Sequence, residues 1–527
     1  MTRGRRARPA PSRRPTRSAR PARSARPVPS RRQVSLGLLA ALLVVAGVLV
    51  AGVATYQSWR PGHAGAGMPG GPTPAAAPAA LASTSPSAGE AGSQPPGAAL
   101  WLPTPSPVTA ALSPLPGLPS TAPIPTKLGL AGQLAPALAD PALAGDAISL
   151  VVADPLTGGV LLDNHGSDAV LPASTAKLAV AVAALQTLGP AARLSTTVVL
   201  DGARVVLVGG GDPTLAGPKA VGAASPGFPA PARLSDLATQ TASALKARGV
   251  TTVGVGYDGS LFVGPSTAPG WKPLYVTEGD VAPVSALEVD EGRSDPAKAP
   301  RVGDPAALAA KEFAALLAAD GVAVDGAPVA AVAAADDPLL ASVRSPTVGA
   351  LVQRMLGYSD NDLAEALARH IAIATGQPAT FAGGAAAVRA VVAGLGIDPA
   401  GLSMVDASGL SRSDRVRAHT LVELLDMALA PGHEALATIR QALPVAGFSG
   451  TLATRYGSPP AAAAAGVVRA KTGTLDGVVA LAGYLDDASG RVLTFALVAN
   501  GVAPGATMRA EAALDRIAAG LAQCGCS

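Results

Sequence analysis

Three short runs along the 527-residue chain carry side chains suited to nucleophilic chemistry. In the first, Ser174, Thr175, Ala176 and Lys177 set a hydroxyl and an amine three residues apart. On a helix that spacing is one turn, so both groups share a face. A serine hydroxyl becomes a nucleophile beside a base, and a lysine amine is a base once burial and a nearby cation lower its pKa. Lys471 is expected to be that cation. The Ser174 N–H, at a helix start, is free to donate to an oxyanion. The second run, Ser359, Asp360 and Asn361, adds a hydroxyl to pass a proton between Lys177 and a leaving amine. Asn361 adds a donor and an acceptor on one side chain, fit to hold Lys177 and a substrate amide together. The third, Lys471, Thr472, Gly473 and Thr474, reads as a strand lying antiparallel to an extended peptide. There Gly473 admits the peptide backbone, and the Thr474 N–H is a second oxyanion donor. The Thr472 and Thr474 hydroxyls hold a terminal carboxylate.

Composition sharpens these short motifs. The chain has 32 Arg but eight Lys, and from residue 312 onward Lys471 is the sole lysine. A guanidinium stays protonated, whereas an ammonium can lose its proton. Keeping lysine at both motif positions is what the chemistry requires. Asn361 is one of three asparagines.

The elements that must position these groups begin near residue 128. Residues 147–162 read as two strands joined by the turn residues Asp154–Gly159. Residues 174–188 read as a helix apolar on most faces, hence buried. Residues 467–474, 478–485 and 492–500 read as three strands, and 507–522 as a closing helix. Strands at both ends with helices between them predict a mixed α and β domain built on one antiparallel sheet.

With these residues in hand, the chain resembles the class C low-molecular-mass penicillin-binding proteins, a D-alanyl-D-alanine carboxypeptidase/endopeptidase family, over roughly residues 128–520. The nucleophile segment Leu171–Leu178 carries the likeness. So do Gly209–Leu215, Ala282–Leu287, Asp406–Arg412 and Ala470–Leu475 with Ala480–Tyr484. Ala407 departs from the family pattern, which has glycine there. The resemblance implies a serine β-lactamase/D,D-peptidase-like fold, an antiparallel sheet flanked by helices. It implies acylation of Ser174 by peptidoglycan stem peptides or by β-lactam antibiotics, with Lys177 as base and Ser359, Asn361 and Lys471 completing the site. It also implies an inserted subdomain between the first two motifs, which lie 185 residues apart, at about 200–305. Asp258 resembles an acid of that insertion that recognises an amine-bearing side chain; alternatively it is a turn residue before Gly259. Arg412 either binds a substrate carboxylate or pairs with Asp406.

Charge is divided unevenly. Residues 1–33 hold twelve Arg and no acid, and without them the formal charge of +4 becomes −8. The basic balance therefore describes a tail and gives no reason to expect nucleic acid. Residues 34–55 carry no charge and, at 1.5 Å each, cover about the 30 Å of a bilayer core. Tyr56 and Trp59 suit the interface, and the arginines ahead of the span place the N-terminus in the cytoplasm. The alternative is a cleaved signal peptide with a long basic head. Residues 56–127, about a quarter of them Pro from 61 on, cannot bury a core and are expected to tether the domain.

Other classes fit poorly. Gly209–Gly211 lacks the third glycine of a dinucleotide fingerprint, since Thr214 stands there. The five histidines have no metal-ligand spacing, and Cys524 and Cys526 make neither a metal pattern nor a disulfide framework. No cofactor or metal is expected. A β-lactamase of class A needs a Glu-x-x-Leu-Asn segment, which no asparagine between Asn361 and Asn500 can supply. A non-catalytic wall scaffold is the remaining alternative, although every nucleophile and base is in place.

Overall fold

The protein is described by a computed structural model over residues 121–143, 148–220 and 228–526. The expected tail, span and most of the tether lie outside the described residues. Among those described, no helix is long and apolar enough to cross a membrane.

Helix α1 (Lys127–Leu138) precedes the hairpin of β1 (Ser149–Asp154) and β2 (Gly159–Asn164). Asp154 makes the turn between them, accepting from the Leu156 N–H and the Thr157 hydroxyl at 3.0 and 2.8 Å. One 3₁₀ turn, Ala173–Ala176, leads into α2 (Lys177–Leu188). Then come β3 (Arg193–Asp201), β4 (Arg204–Val208), α3 (Leu234–Ala247), β5 (Thr252–Asp258) and the single turn α4 (Tyr275–Glu278). They are followed by α5 (Pro305–Ala319), β6 (Ala323–Val324), β7 (Val329–Ala330) and β8 (Leu339–Thr347). A helical stretch follows: α6 (Val348–Tyr358), α7 (Asn361–Ala374), α8 (Phe381–Gly394), α9 (Ala418–Leu429) and α10 (Ala437–Ala442). A small ladder, β9 (Leu402–Ser403) with β10 (Arg415–Val416), interrupts it. The chain closes with β11 (Arg469–Leu475), β12 (Val478–Asp486), β13 (Val492–Asn500) and α11 (Thr507–Ala522).

The first two and last three strands form one sheet in the order β11-β12-β13-β1-β2, antiparallel at every pairing. This is the sheet expected from the strand pattern at the two ends. Successive side chains on a strand face opposite ways. Leu150, Val152, Leu481, Phe495 and Leu497 therefore join one core with residues of α1 and α11. Val151, Ala153, Ala480, Ala482 and Val498 join another with α2, α6, α7, α8 and α9. Strands β1, β12 and β13 are buried on both faces, which explains their nearly unbroken apolar sequences. Strand β11 lies at its edge.

A second sheet, β6-β5-β4-β3-β8 with β7 also on β5, occupies residues 193–347. It is mixed: β3 pairs antiparallel with β4 and β8, while β5 runs parallel to β4, β6 and β7. It has its own core, in which Val198, Val205 and Leu207 meet Leu237 and Leu245 of α3 and Phe313 and Leu317 of α5. In sequence it falls between the first two motifs and extends past 200–305 on both sides.

Candidate active site

The three motifs converge on one cavity of about 660 Å³, lined by Ser174, Ser359, Asn361, Thr472 and Thr474 among others. Ser174 sits in the 3₁₀ turn and Lys177 opens α2, so the helix expected at 174 begins one turn later. Lys177 Nζ lies 3.0 Å from Ser174 Oγ. Ala173, directly before the nucleophile, has φ 47°. That left-handed conformation is costly for a residue with a Cβ and is found at functional turns.

The second motif is a corner between helices. Ser359 caps the C-terminus of α6 with φ 61°. Asp360 caps α7, its carboxylate accepting from the Leu363 N–H at 3.0 Å. Asn361 is the first residue of α7. The corner turns the Ser359 hydroxyl and the Asn361 amide toward the cavity and spends Asp360 on structure. An ion network braces it: Arg354 holds Glu291 and Asp360, and Arg301 holds Glu291 and Asp362. The carboxylates of Glu291, Asp360 and Asp362 lie close enough to share a cation, and these guanidiniums already neutralise them.

Lys177 is fully buried. Its amine meets three partners: Ser174 Oγ, Asn361 Oδ1 at 2.6 Å and the Ser408 carbonyl oxygen at 2.6 Å. The last two only accept. The orientation of the Asn361 amide is fixed by its Nδ2, which donates to the Asp280 carbonyl at 2.8 Å. A neutral amine has two N–H donors and one lone pair. The amine donates to Ser174 Oγ; on losing a proton it keeps two N–H donors for Asn361 and Ser408 and presents its lone pair to the serine hydroxyl. Burial pushes Lys177 down from 10.5 to about 8, against the pull of Asp406, Glu365, Asp360 and Asp362. The cation expected to do this, Lys471, is not the main cause. Lys471 is itself pushed well below its ordinary value, by burial first and by Lys177 second. Its amine donates to Ser359 Oγ at 2.9 Å and to the Thr472 carbonyl at 2.7 Å.

Three expectations need correction. A Cβ on Gly473 would lie 2.9 Å from the Pro172 carbonyl oxygen and 3.2 Å from Ala173 Cβ. The glycine therefore admits the nucleophile turn of its own chain, on the face of β11 turned toward that turn. Asp258 is 5% exposed, and its carboxylate oxygens accept from the Ser260 and Ala333 N–H groups at 2.8 and 2.9 Å. It does not line the cavity, and its burial leaves nothing to offer a substrate ammonium. Arg412 does not pair with Asp406; it donates to the Asp476 carbonyl at 2.8 Å. Asp406 instead accepts from Trp271 Nε1 at 2.6 Å and from the Gly409 and Ser411 N–H groups at 2.8 Å. The Thr472 hydroxyl donates to Thr451 Oγ1 at 2.8 Å, and the Thr474 hydroxyl to Glu511 Oε1 at 2.7 Å.

Residues that the motifs did not announce hold the site together. Glu365, one turn after Asn361 on α7, accepts from the Ala407 and Ser408 N–H groups at 2.9 and 2.8 Å and so fixes the Ser408 carbonyl. The i to i+4 spacing from Asn361 was the available signal. Gly409 has φ 80°, and a Cβ there would fall 2.0 Å from the Ala173 carbonyl oxygen. The Ser408 loop is thus wedged against the nucleophile turn.

Sequence comparison then decides the class. Residues 130–303 and 294–521 match the Peptidase S13 family, described as D-Ala-D-Ala carboxypeptidase 3. The chain belongs to this family. It is 40% identical over 431 residues to the carboxypeptidase DacB of Mycolicibacterium smegmatis, a match covering 80% of this chain and 90% of that protein. It is 39% identical over 418 residues to the carboxypeptidase Rv3627c of Mycobacterium tuberculosis, covering 77% and 86%. Penicillin binding protein 4 (dacB) from Haemophilus influenzae shares the fold, with a TM-score of 0.60 and 22% identity over 75% of this chain and 98% of that one. A second structure of that protein, complexed with a β-lactam, aligns with a TM-score of 0.56 over 73% of this chain and 97% of that one, also at 22% identity. The S13 assignment agrees with the class C resemblance and with the observed antiparallel sheet flanked by helices.

Proposed function

We propose that the chain is a serine D-alanyl-D-alanine carboxypeptidase/endopeptidase acting on peptidoglycan stem peptides. The observation that carries this reading is the buried Lys177 amine 3.0 Å from Ser174 Oγ, whose deprotonation leaves a lone pair for that hydroxyl. Membership of the S13 family and the carboxypeptidase names of its relatives support the substrate class.

The extended peptide lies along the free edge of β11, adding a strand to the sheet. Lys177 takes the Ser174 proton as Oγ attacks the carbonyl of the penultimate D-alanine. The Ser174 and Thr474 N–H groups receive the oxyanion. The C–N bond then breaks, and the proton passes through Ser359 to the leaving amine, with Lys471 holding the Ser359 hydroxyl. Water hydrolyses the acyl-enzyme and regenerates Ser174. β-Lactams acylate the same oxygen. The arginine-rich tail, the apolar stretch 34–55 and the Pro-rich tether hold this domain outside the cell on a single-pass anchor.

Labelled penicillin and purified peptidoglycan test the reading together. The parent protein forms a stable adduct and releases D-alanine or cross-link fragments, and Ser174→Ala does neither. An adduct that persists in Ser174→Ala would place the nucleophile elsewhere.

A further inference from the structure

The loop that aims the catalytic amine is fastened twice. Residues 404–414 join β9 to β10, and they carry the Ser408 carbonyl that Lys177 meets at 2.6 Å. From α7, Glu365 holds the Ala407 and Ser408 N–H groups. At the neck of the loop, Asp414 Oδ1 accepts from the Val405 N–H at 2.7 Å. Asp414 is fully buried, and no donor among the described residues reaches its Oδ2. Its carboxyl lies beside that of Asp406, which is buried as well.

Two ionised carboxylates side by side in a buried site repel, so one of them keeps a proton. Their surroundings decide which. A carboxylate has about four acceptor sites. The N–H groups of Trp271, Gly409 and Ser411 already fill three on Asp406, whereas the Val405 N–H alone serves Asp414. Donors favour the charged form, so the charge settles on Asp406 and the proton on Asp414 Oδ2. That proton fills the fourth site on Asp406 and gives Asp414 Oδ2 the partner it lacks. Burial first, and Asp406 second, push Asp414 up to about 9. The other charged group acting on it is Glu365 of α7, itself paired with Arg369.

We propose that Asp414 is a positioning residue that works as a neutral acid, donating to Asp406 and so closing the loop that sets the Ser408 carbonyl against Lys177. The inference rests on the serine-nucleophile reading and adds the group that keeps its base in register. An ionised Asp414 faces Asp406 as a like charge with no donor between them, and the neck of the loop loosens.

The test follows acylation of the full-length protein by labelled penicillin from about pH 7 to about pH 10 in the parent, Asp414→Asn and Asp414→Ala. An asparagine amide offers the same two groups as the neutral acid, an N–H for Asp406 and an oxygen for the Val405 N–H. Asp414→Asn should stay within about three-fold of the parent near pH 7, and Asp414→Ala should be about ten- to a hundred-fold slower. Above about pH 9 the parent loses rate as Asp414 ionises, and the Asn variant keeps its rate. The Asn-to-parent ratio should therefore rise about ten-fold by pH 10, and any other titrating group cancels in it. Should Asp414→Ala fail to fold, that ratio decides alone. An Asn variant as slow as the Ala variant, an Ala variant as fast as the parent, or a ratio that stays flat overturns the proposal. A labelled parent with a flat ratio sinks this inference alone. A parent that is never labelled sinks the serine-nucleophile reading and this inference with it.

Discussion

Lys177 shows how burial, more than a neighbouring cation, can make an amine a base. Its acceptors, Asn361 Oδ1 and the Ser408 carbonyl, use two N–H groups and leave no good partner for a third proton except the serine hydroxyl. Burial lowers its pKa to about 8, so the amine is free above that pH and protonated below it. Acylation by penicillin should therefore rise through about pH 8 and fall about tenfold per unit on the acid side. Lys177→Arg should lose about 10²–10⁴-fold in acylation rate, since a guanidinium cannot accept the proton. Stopped-flow rates across pH on both proteins check this, and a flat profile in the parent would remove Lys177 as the base. The five motif side chains were legible because their chemistry is written in residue type. Ser408 was not, because it contributes a carbonyl, which every residue has. Asp258 and Arg412 each stayed open between two readings for a related reason: a carboxylate or guanidinium in sequence says nothing of which backbone groups already use it, and for Asp258 the structure favours the turn.

Helix α7 works as a ruler for the site. Its first residue, Asn361, orients Lys177, and Glu365 one turn later holds the loop that carries the Ser408 carbonyl. Glu365→Ala leaves two buried N–H groups without a partner, at about 1–3 kcal/mol each. It should lower stability by about 2–6 kcal/mol in urea unfolding and slow acylation, because the Ser408 carbonyl loses its fixed position. Glu365→Gln keeps the acceptor oxygen. It should recover most of the acylation rate and less of the stability, since Arg369, 3.4 Å from the Glu365 carboxylate, loses its counter-charge. If Gln and Ala were equally slow, Glu365 would act by its charge and not by position. Elements were unequally readable from sequence. The five-stranded sheet was plain, β1, β12 and β13 being apolar runs bounded by turn residues such as Asp154. The second sheet was not. Its β6 and β7 have two residues each and pair in parallel across long connections, so neither period nor a hairpin turn marks them.

At the scale of the whole chain, the peptidase domain follows an N-terminal quarter of different composition. If residues 1–33 and 34–55 act as cytoplasmic tail and anchor, cell fractionation should find the full-length protein with membranes. Removing residues 1–120 should release it while leaving kcat/KM on small soluble peptides unchanged. A mature N-terminus beyond residue 55 on secreted protein would overturn the anchor. The connection after β5 also meets the site, through an aromatic side chain. Trp271, in the connection after β5, donates its indole N–H to Asp406 and packs against Tyr275 and Leu410, both of which line the cavity. The chain has three tryptophans, and the other two, Trp59 and Trp101, precede the domain. A protein lacking the first 120 residues thus has one indole fluorophore, set directly behind the cavity wall. Its emission is a built-in optical gauge of the loop that aligns the catalytic amine, readable during acylation without any attached dye.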